Sequence, residues 1–101
     1  MKYLGVLRGS GLLSTPEESL GRADYEIDGY LLKPGEVVAS GEVRMTVDDL
    51  LRAFGQPHLR LQTDDGRKFA IRFSGKKLAP ASTAAHADFS GDLPKESAWE
   101  R

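Results

Sequence analysis

The chain has 101 residues, 40% of them hydrophobic, and a formal net charge of −1. That is the size of one domain able to bury a single core without help from a metal or disulfide. Cysteine is absent, which excludes disulfide scaffolds, thiolate zinc sites, iron–sulfur clusters and cysteine nucleophiles together, and the near-neutral balance gives no overall pull toward nucleic acid or anionic membrane.

The start, Met1 to Arg8, reads as a first strand. Arg8 interrupts its apolar stretch and no small-residue cleavage site follows, which argues against a secretory leader. Gly9-Ser10-Gly11 is expected as a turn or bulge between antiparallel strands, since neither the long helix nor the further glycine and lysine of a phosphate loop follow it. Thr15 as cap, Pro16 at the first helical position and Glu18 reaching back predict about one helical turn, stopped by Gly21.

Arg22 to Leu32 alternates, with Tyr25, Ile27 and Leu31 on one face and Asp24, Glu26, Asp28 and Tyr30 on the other; Gly29 interrupts the inner row and is expected to mark a bend. Pro34-Gly35 forms the centre of a type II turn, and the returning strand, Glu36 to Met45, faces inward with Val37, Ala39, Gly41 and Val43. The turn alone leaves the two apolar faces out of phase, so a bulge is expected near Val37 or Val38. Thr46 to Phe54 is the one convincing helix, because Val47, Leu50, Leu51 and Phe54 follow the spacing of a single apolar stripe. Thr46 caps it, Asp48 and Asp49 complement the positive end of its dipole, and Gly55 with Pro57 closes it.

The second hairpin, His58 to Phe73, can be put in register from the letters. Leu59, Leu61 and Thr63 share a face with Phe69, Ile71 and Phe73, which pairs Leu61 with Phe69 and Leu59 with Ile71. Asp64-Asp65-Gly66 is then a three-residue loop with Gly66 in the left-handed position. A last strand is predicted at Ala84 to Ser90, with Ala85, Ala87 and Phe89 inward and His86 and Asp88 outward. Residues 1–94 are thus one domain and 95–101 a frayed C-terminal tail. The fold class is mainly β: a small antiparallel β-barrel or strongly coiled sheet of about six strands, plugged by one short α-helix at about residues 47–54.

Charge is segregated along the chain. From Ser14 to Leu50 nine acids face three bases, whereas from His58 to Leu78 Arg60, Arg67, Lys68, Arg72, Lys76 and Lys77 outnumber Asp64 and Asp65. Mutual neutralisation of neighbouring strands is the expected consequence. Glu26 and Asp28 project to one side, as acid/base work needs, and His86 and Asp88 do the same; His58 joins them if the last strand pairs with the second hairpin. Two isolated histidines lack the tight spacing of a metal site, and no serine, histidine and acid arrangement stands out. The basic hairpin invites a nucleic-acid reading, but its rings Phe69 and Phe73 belong to the core-facing row, which leaves Tyr30 as the one outward strand aromatic on which a base could stack.

Gly9-Ser10-Gly11-Leu12, Gly21-Arg22-Ala23-Asp24-Tyr25-Glu26-Ile27, Gly41-Glu42-Val43 and Asp65-Gly66-Arg67 resemble small uncharacterised bacterial proteins, short all-β domains typical of proteobacteria. The resemblance covers most of residues 3 to 94 and implies the fold; it brings no catalytic motif.

The function expected from these features is that of a cytoplasmic, non-catalytic domain binding a protein or small molecule on the outer face of a small barrel, without cofactor, metal or membrane, as a monomer or homodimer. The outward residues Arg60, Lys68 and Arg72, with Tyr30 and His86 as neighbours, are the candidate binding set. The alternatives are a hydrolase or lyase using the acidic and histidine residues of one strand face, and a weak nucleic-acid binder through the basic hairpin.

Overall fold

The computed structural model describes residues 1–99. Six antiparallel strands close into a barrel in the order β1-β2-β3-β6-β5-β4: β1 (Lys2–Ser14), β2 (Ser19–Lys33), β3 (Glu36–Arg44), β4 (Leu59–Thr63), β5 (Lys68–Phe73) and β6 (Ala84–Gly91). One helix, α1 (Val47–Ala53), joins β3 to β4. Among the described residues, the mainly-β class, the six strands and the single α-helix are those read from the sequence; a 3-10 turn at Glu96–Ala98 was not.

Alternation governs the second hairpin as expected. Leu59 pairs with Ile71 and Leu61 with Phe69. Gly66 has φ 93°, the left-handed conformation that the three-residue loop demands. Inside the barrel, Phe69, Leu13, Leu20, Ile27, Leu50, Leu61 and Val43 are all under 2% exposed. Tyr25, Phe69 and Phe89 interlock there edge to face and tilted, with centroids 5.7 to 6.1 Å apart. Side chains fill the interior.

The first strand differs from expectation. Gly9-Ser10-Gly11 does not break it, and β1 runs unbroken to Ser14. Gly11 lies where β1 meets β4, opposite Thr63, and a Cβ there would overlap the carbonyl oxygen of Gln62. Close approach of two backbones, rather than a turn, is what this glycine provides. The expected helical turn at Thr15 is a hairpin loop instead. Thr15 Oγ1 accepts from the Glu17 and Glu18 N–H groups, as a cap would, but Leu20 and Ala23 must face the core beside β1 and the chain reverses at once.

The phase correction between β2 and β3 lies on the other strand from that expected. Leu31 pairs with Val37 and Lys33 with Glu36, leaving Leu32 as the extra residue, exposed to solvent. A bulge there keeps Val37 in step with Ala39 and Val43.

The helix is capped by Thr46, whose Oγ1 accepts from Asp49 N. Its buried face is Leu50 and Ala53, with Phe54 tilted against Phe73 at 5.4 Å; Val47 and Leu51 of the predicted stripe are exposed, Leu51 at 66%. Arg52 fixes the rotation by donating from Nη2 to the carbonyl of Leu20. The tail, expected to fray, is anchored as far as Trp99. Its indole is buried against Gly29 and donates to the Pro94 carbonyl at 3.2 Å, so Gly29 serves as a socket for a ring rather than as a bend. Residues 100 and 101 lie outside the described residues.

Candidate functional site

The five candidate residues do not converge. Arg60 flanks a groove with Ser14, Thr15, Pro16 and His58, and Arg72 borders another with Gly55, Gln56, Pro57 and His58. Lys68 stands near the far end of β5, its backbone N–H held by Asp92 Oδ2. Only Tyr30 and His86 share a depression. Strand order is the reason: β6 and β5 stand between β3 and β4, so Arg60 lies on the far strand, while Arg72 extends the row of Val6, Asp28, Ser40 and Asp88 one strand beyond the depression. His58, just before β4, lines the grooves beside Arg60 and Arg72 and not the depression that holds His86.

The depression around Tyr30 and His86 is shallow, open and about 590 Å³ in volume, and lies across the outer faces of β1, β2, β3 and β6. Strand register builds it in rows. Arg8, Glu26, Glu42 and His86 stand directly opposite one another on successive strands, as do Val6, Asp28, Ser40 and Asp88. Glu26 and Glu42 are therefore like charges in direct cross-strand opposition, an arrangement that costs stability unless countered. Both are countered. Arg8 Nε donates to Glu26 Oε1 at 2.7 Å, and Arg44 Nε donates to Glu42 Oε1 at 2.6 Å, which holds the Arg44 guanidinium more firmly protonated.

At the rim, Tyr3 and Tyr30 form a tilted ring pair 5.5 Å apart. Tyr3 Oη donates to Asp28 Oδ1 at 2.9 Å, and this bond, with burial and the Asp28 charge, raises the Tyr3 phenol above its ordinary value. At the opposite end His86 Nδ1 lies 2.7 Å from Ser74 Oγ, which also donates to the His86 carbonyl. A serine–histidine pair thus stands next to Glu42, although no such grouping was visible along the chain. Its second bond ties the serine to the backbone where β5 meets β6, the geometry of a strand-end lock. No cluster of three or more His, Asp or Glu suited to a metal ion exists among the described residues.

The predicted neutralisation of acidic and basic segments is only partial. Arg22 makes a bidentate pair with Asp64, at 2.8 and 2.6 Å, and Arg72 stands opposite Asp88. Among the acids of β2 and β3, Glu26 pairs with Arg8, Glu42 with Arg44 and Glu36 with Lys33, while Asp24 and Asp28 accept hydrogen bonds from Ser10 and Tyr3. Compared with known proteins, the chain matches no family model, no curated protein and no solved structure.

Sequence reasoning placed Glu26, Asp28, Tyr30 and His86 outward but missed Tyr3, Arg8, Ser40, Glu42 and Arg44. The alternation of β3 carried the signal for the last three, since residues between the inward Ala39, Gly41, Val43 and Met45 must face out. For Tyr3 the signal was hidden by the bulge at Leu4, between the pairs Tyr3 with Tyr30 and Gly5 with Gly29.

Proposed function

We propose that this chain is a non-catalytic binding module whose outer β1-β2-β3-β6 face receives an extended segment of a protein partner. The observation that supports this most directly is the direct opposition of Glu26 and Glu42, flanked by Arg8 and Arg44 and bordered by the Tyr3–Tyr30 ring pair. Such a surface offers alternating charge, hydroxyl groups and aromatic edges over an open area. A small molecule asks for an enclosing, largely apolar pocket, whereas a shallow polar face suits side chains presented by another protein. The three carboxylates lining the depression outnumber its two guanidiniums, so the preferred segment is basic. No helix among the described residues is long and apolar enough to cross a membrane; a bacterial, cytoplasmic setting belongs to the same proposal.

The test is an amide chemical-shift titration with short Lys/Arg-rich peptides and acidic peptides of equal length. The basic peptide is expected to move the signals of Tyr3, Arg8, Glu26, Ser40, Glu42 and His86, with affinity falling as salt rises. Shifts confined to Arg60, Lys68 and Arg72, or none with either peptide, would reject the proposal.

The hydrolase reading draws on one observation, that His86 lines the same depression as Glu26, Asp28 and Glu42 and touches Ser74. Catalysis asks for preorganised groups in a water-excluded site. Here the glutamates are engaged by guanidiniums on an open face, so recognition is the better use of these residues. Turnover of a p-nitrophenyl ester that vanished in both Ser74→Ala and His86→Ala would reverse that preference.

A further inference from the structure

Around Val6 and Arg8, β1 has β2 on one edge and no strand on the other among the described residues. β4 pairs with β1 only from Gly11 to Ser14, and the Asp64 N–H bond to the Ser10 carbonyl, at 2.9 Å, ends the seam as the chain turns away into the Asp64–Gly66 loop. In an extended strand the N–H and C=O of one residue point to one edge and those of the next to the other. Ser10 therefore faces the β4 side. Since β1 holds one register with β2 from Gly5 through Leu13, Arg8 and Val6 present their N–H and C=O groups to that same edge. No strand lies beside them among the described residues.

We propose that this edge pairs with the same edge of a second copy of the chain, in antiparallel register about a two-fold axis at Leu7. Val6 of each copy then lies opposite Arg8 of the other, and each such pair exchanges two hydrogen bonds, so the four open backbone groups of each chain are all satisfied. A copy of the chain fits because the edge is its own complement. The donors and acceptors at positions 6 and 8 match themselves when reversed, and half-buried Leu7 meets its counterpart on the inner side. Charge also agrees: the residue facing Arg8 is the neutral Val6, which has Asp28 on its far side. No like charges meet at the seam. Lys2 and the bulge at Leu4 prevent the pairing from running further along the strand. So short a seam falls below the ~1,000 Å² of a stable interface, which places the dissociation constant in the roughly millimolar range. Dimerisation would lengthen the outer face into one sheet spanning both copies and bring two depressions side by side.

The test begins with the native chain. Sedimentation equilibrium from micromolar to millimolar concentration is expected to show a monomer–dimer equilibrium. Amide exchange at Val6 and Arg8 should slow with concentration, ~10-fold when about nine-tenths of the chains are paired. Val6→Pro removes an N–H that faces no strand among the described residues, so it is expected to abolish dimerisation without disturbing the fold. Because the chain has no cysteine of its own, Leu7→Cys supplies a second test. Facing residues there stand within disulfide reach across the axis, so mild oxidation should cross-link this variant and leave the Ser90→Cys control, on exposed β6, monomeric. A chain that stays monomeric at millimolar concentration would overturn the proposal. So would a dimer in which the Val6 and Arg8 amides exchange as fast as in dilute solution, or Leu7→Cys cross-linking no faster than Ser90→Cys.

Discussion

The indole of Trp99 lies against the backbone of Gly29 so closely that a Cβ at position 29 would fall 2.7 Å from its ring atoms. These residues stand seventy positions apart in the sequence. Their contact fastens the C-terminal segment to β2. Gly29→Ala is expected to expel the ring, and since Trp99 is the sole tryptophan, its emission should shift to the red. Trp99→Ala should cost ~3–5 kcal/mol as a large buried side chain is lost. In the Trp99→Ala background the further penalty of Gly29→Ala should shrink, and a double-mutant cycle measured by denaturant unfolding checks the coupling.

Helix α1 separates two adjacent leucines by environment. Leu50 is fully buried and Leu51 is 66% exposed. Leu50→Ala is expected to destabilise by ~2–5 kcal/mol, and Leu51→Ala to stay within ~0.5 kcal/mol. Equal effects in chemical denaturation would show that the helix sits in another rotation.

The Arg22–Asp64 pair predicts a specific acid sensitivity. The Arg22 hydrogen bonds are the largest cause holding the Asp64 carboxyl below its ordinary value, ahead of the opposing effect of burial. A carboxyl lowered in the folded state adds stability above its unfolded value of ~4 and loses it as pH falls through the folded value. Thermal melts of Asp64→Asn should therefore fall less steeply below ~pH 4 than those of the native chain. Because the pair is solvent-exposed, added salt should narrow the difference.

Tyr25 predicts the opposite limb. Burial, followed by the Asp65 charge, pushes its phenol above the ordinary value, with Arg67 opposing. A raised phenol favours the folded state below its unfolded value of ~10, and that contribution is lost as pH rises through the folded value. Absorbance titration should show delayed phenolate formation for Tyr25 and for Tyr3. Tyr25→Phe should remove part of the alkaline loss of stability.

The hairpin of β4 and β5 shows how much of the fold was legible. Its register, Leu61 with Phe69 and Leu59 with Ile71, and the left-handed Gly66 follow from alternation and loop chemistry within sixteen residues. The inward rows of β2, β3 and β6 and the Thr46 cap were readable for the same reason. The candidate site was legible only one strand at a time. Glu26, Asp28, Tyr30 and His86 were recognised as outward, yet nothing local told which of them would share a depression or that Arg60 and Arg72 would look elsewhere.

By itself, the order of residues determined the class of fold, the strand faces, the hairpin loop and the place of the helix. Each of these depends on side-chain period and turn geometry over a few neighbouring residues. Tertiary structure alone decided the rotation of α1 that buries Ala53 and exposes Leu51, the bulge at Leu32, the seating of Trp99 on Gly29, and the meeting of Arg8, Glu26, Glu42 and His86 in one row. Those outcomes depend on how a closed sheet curves and on contacts between distant segments. Strands acquire their neighbours only when the barrel shuts.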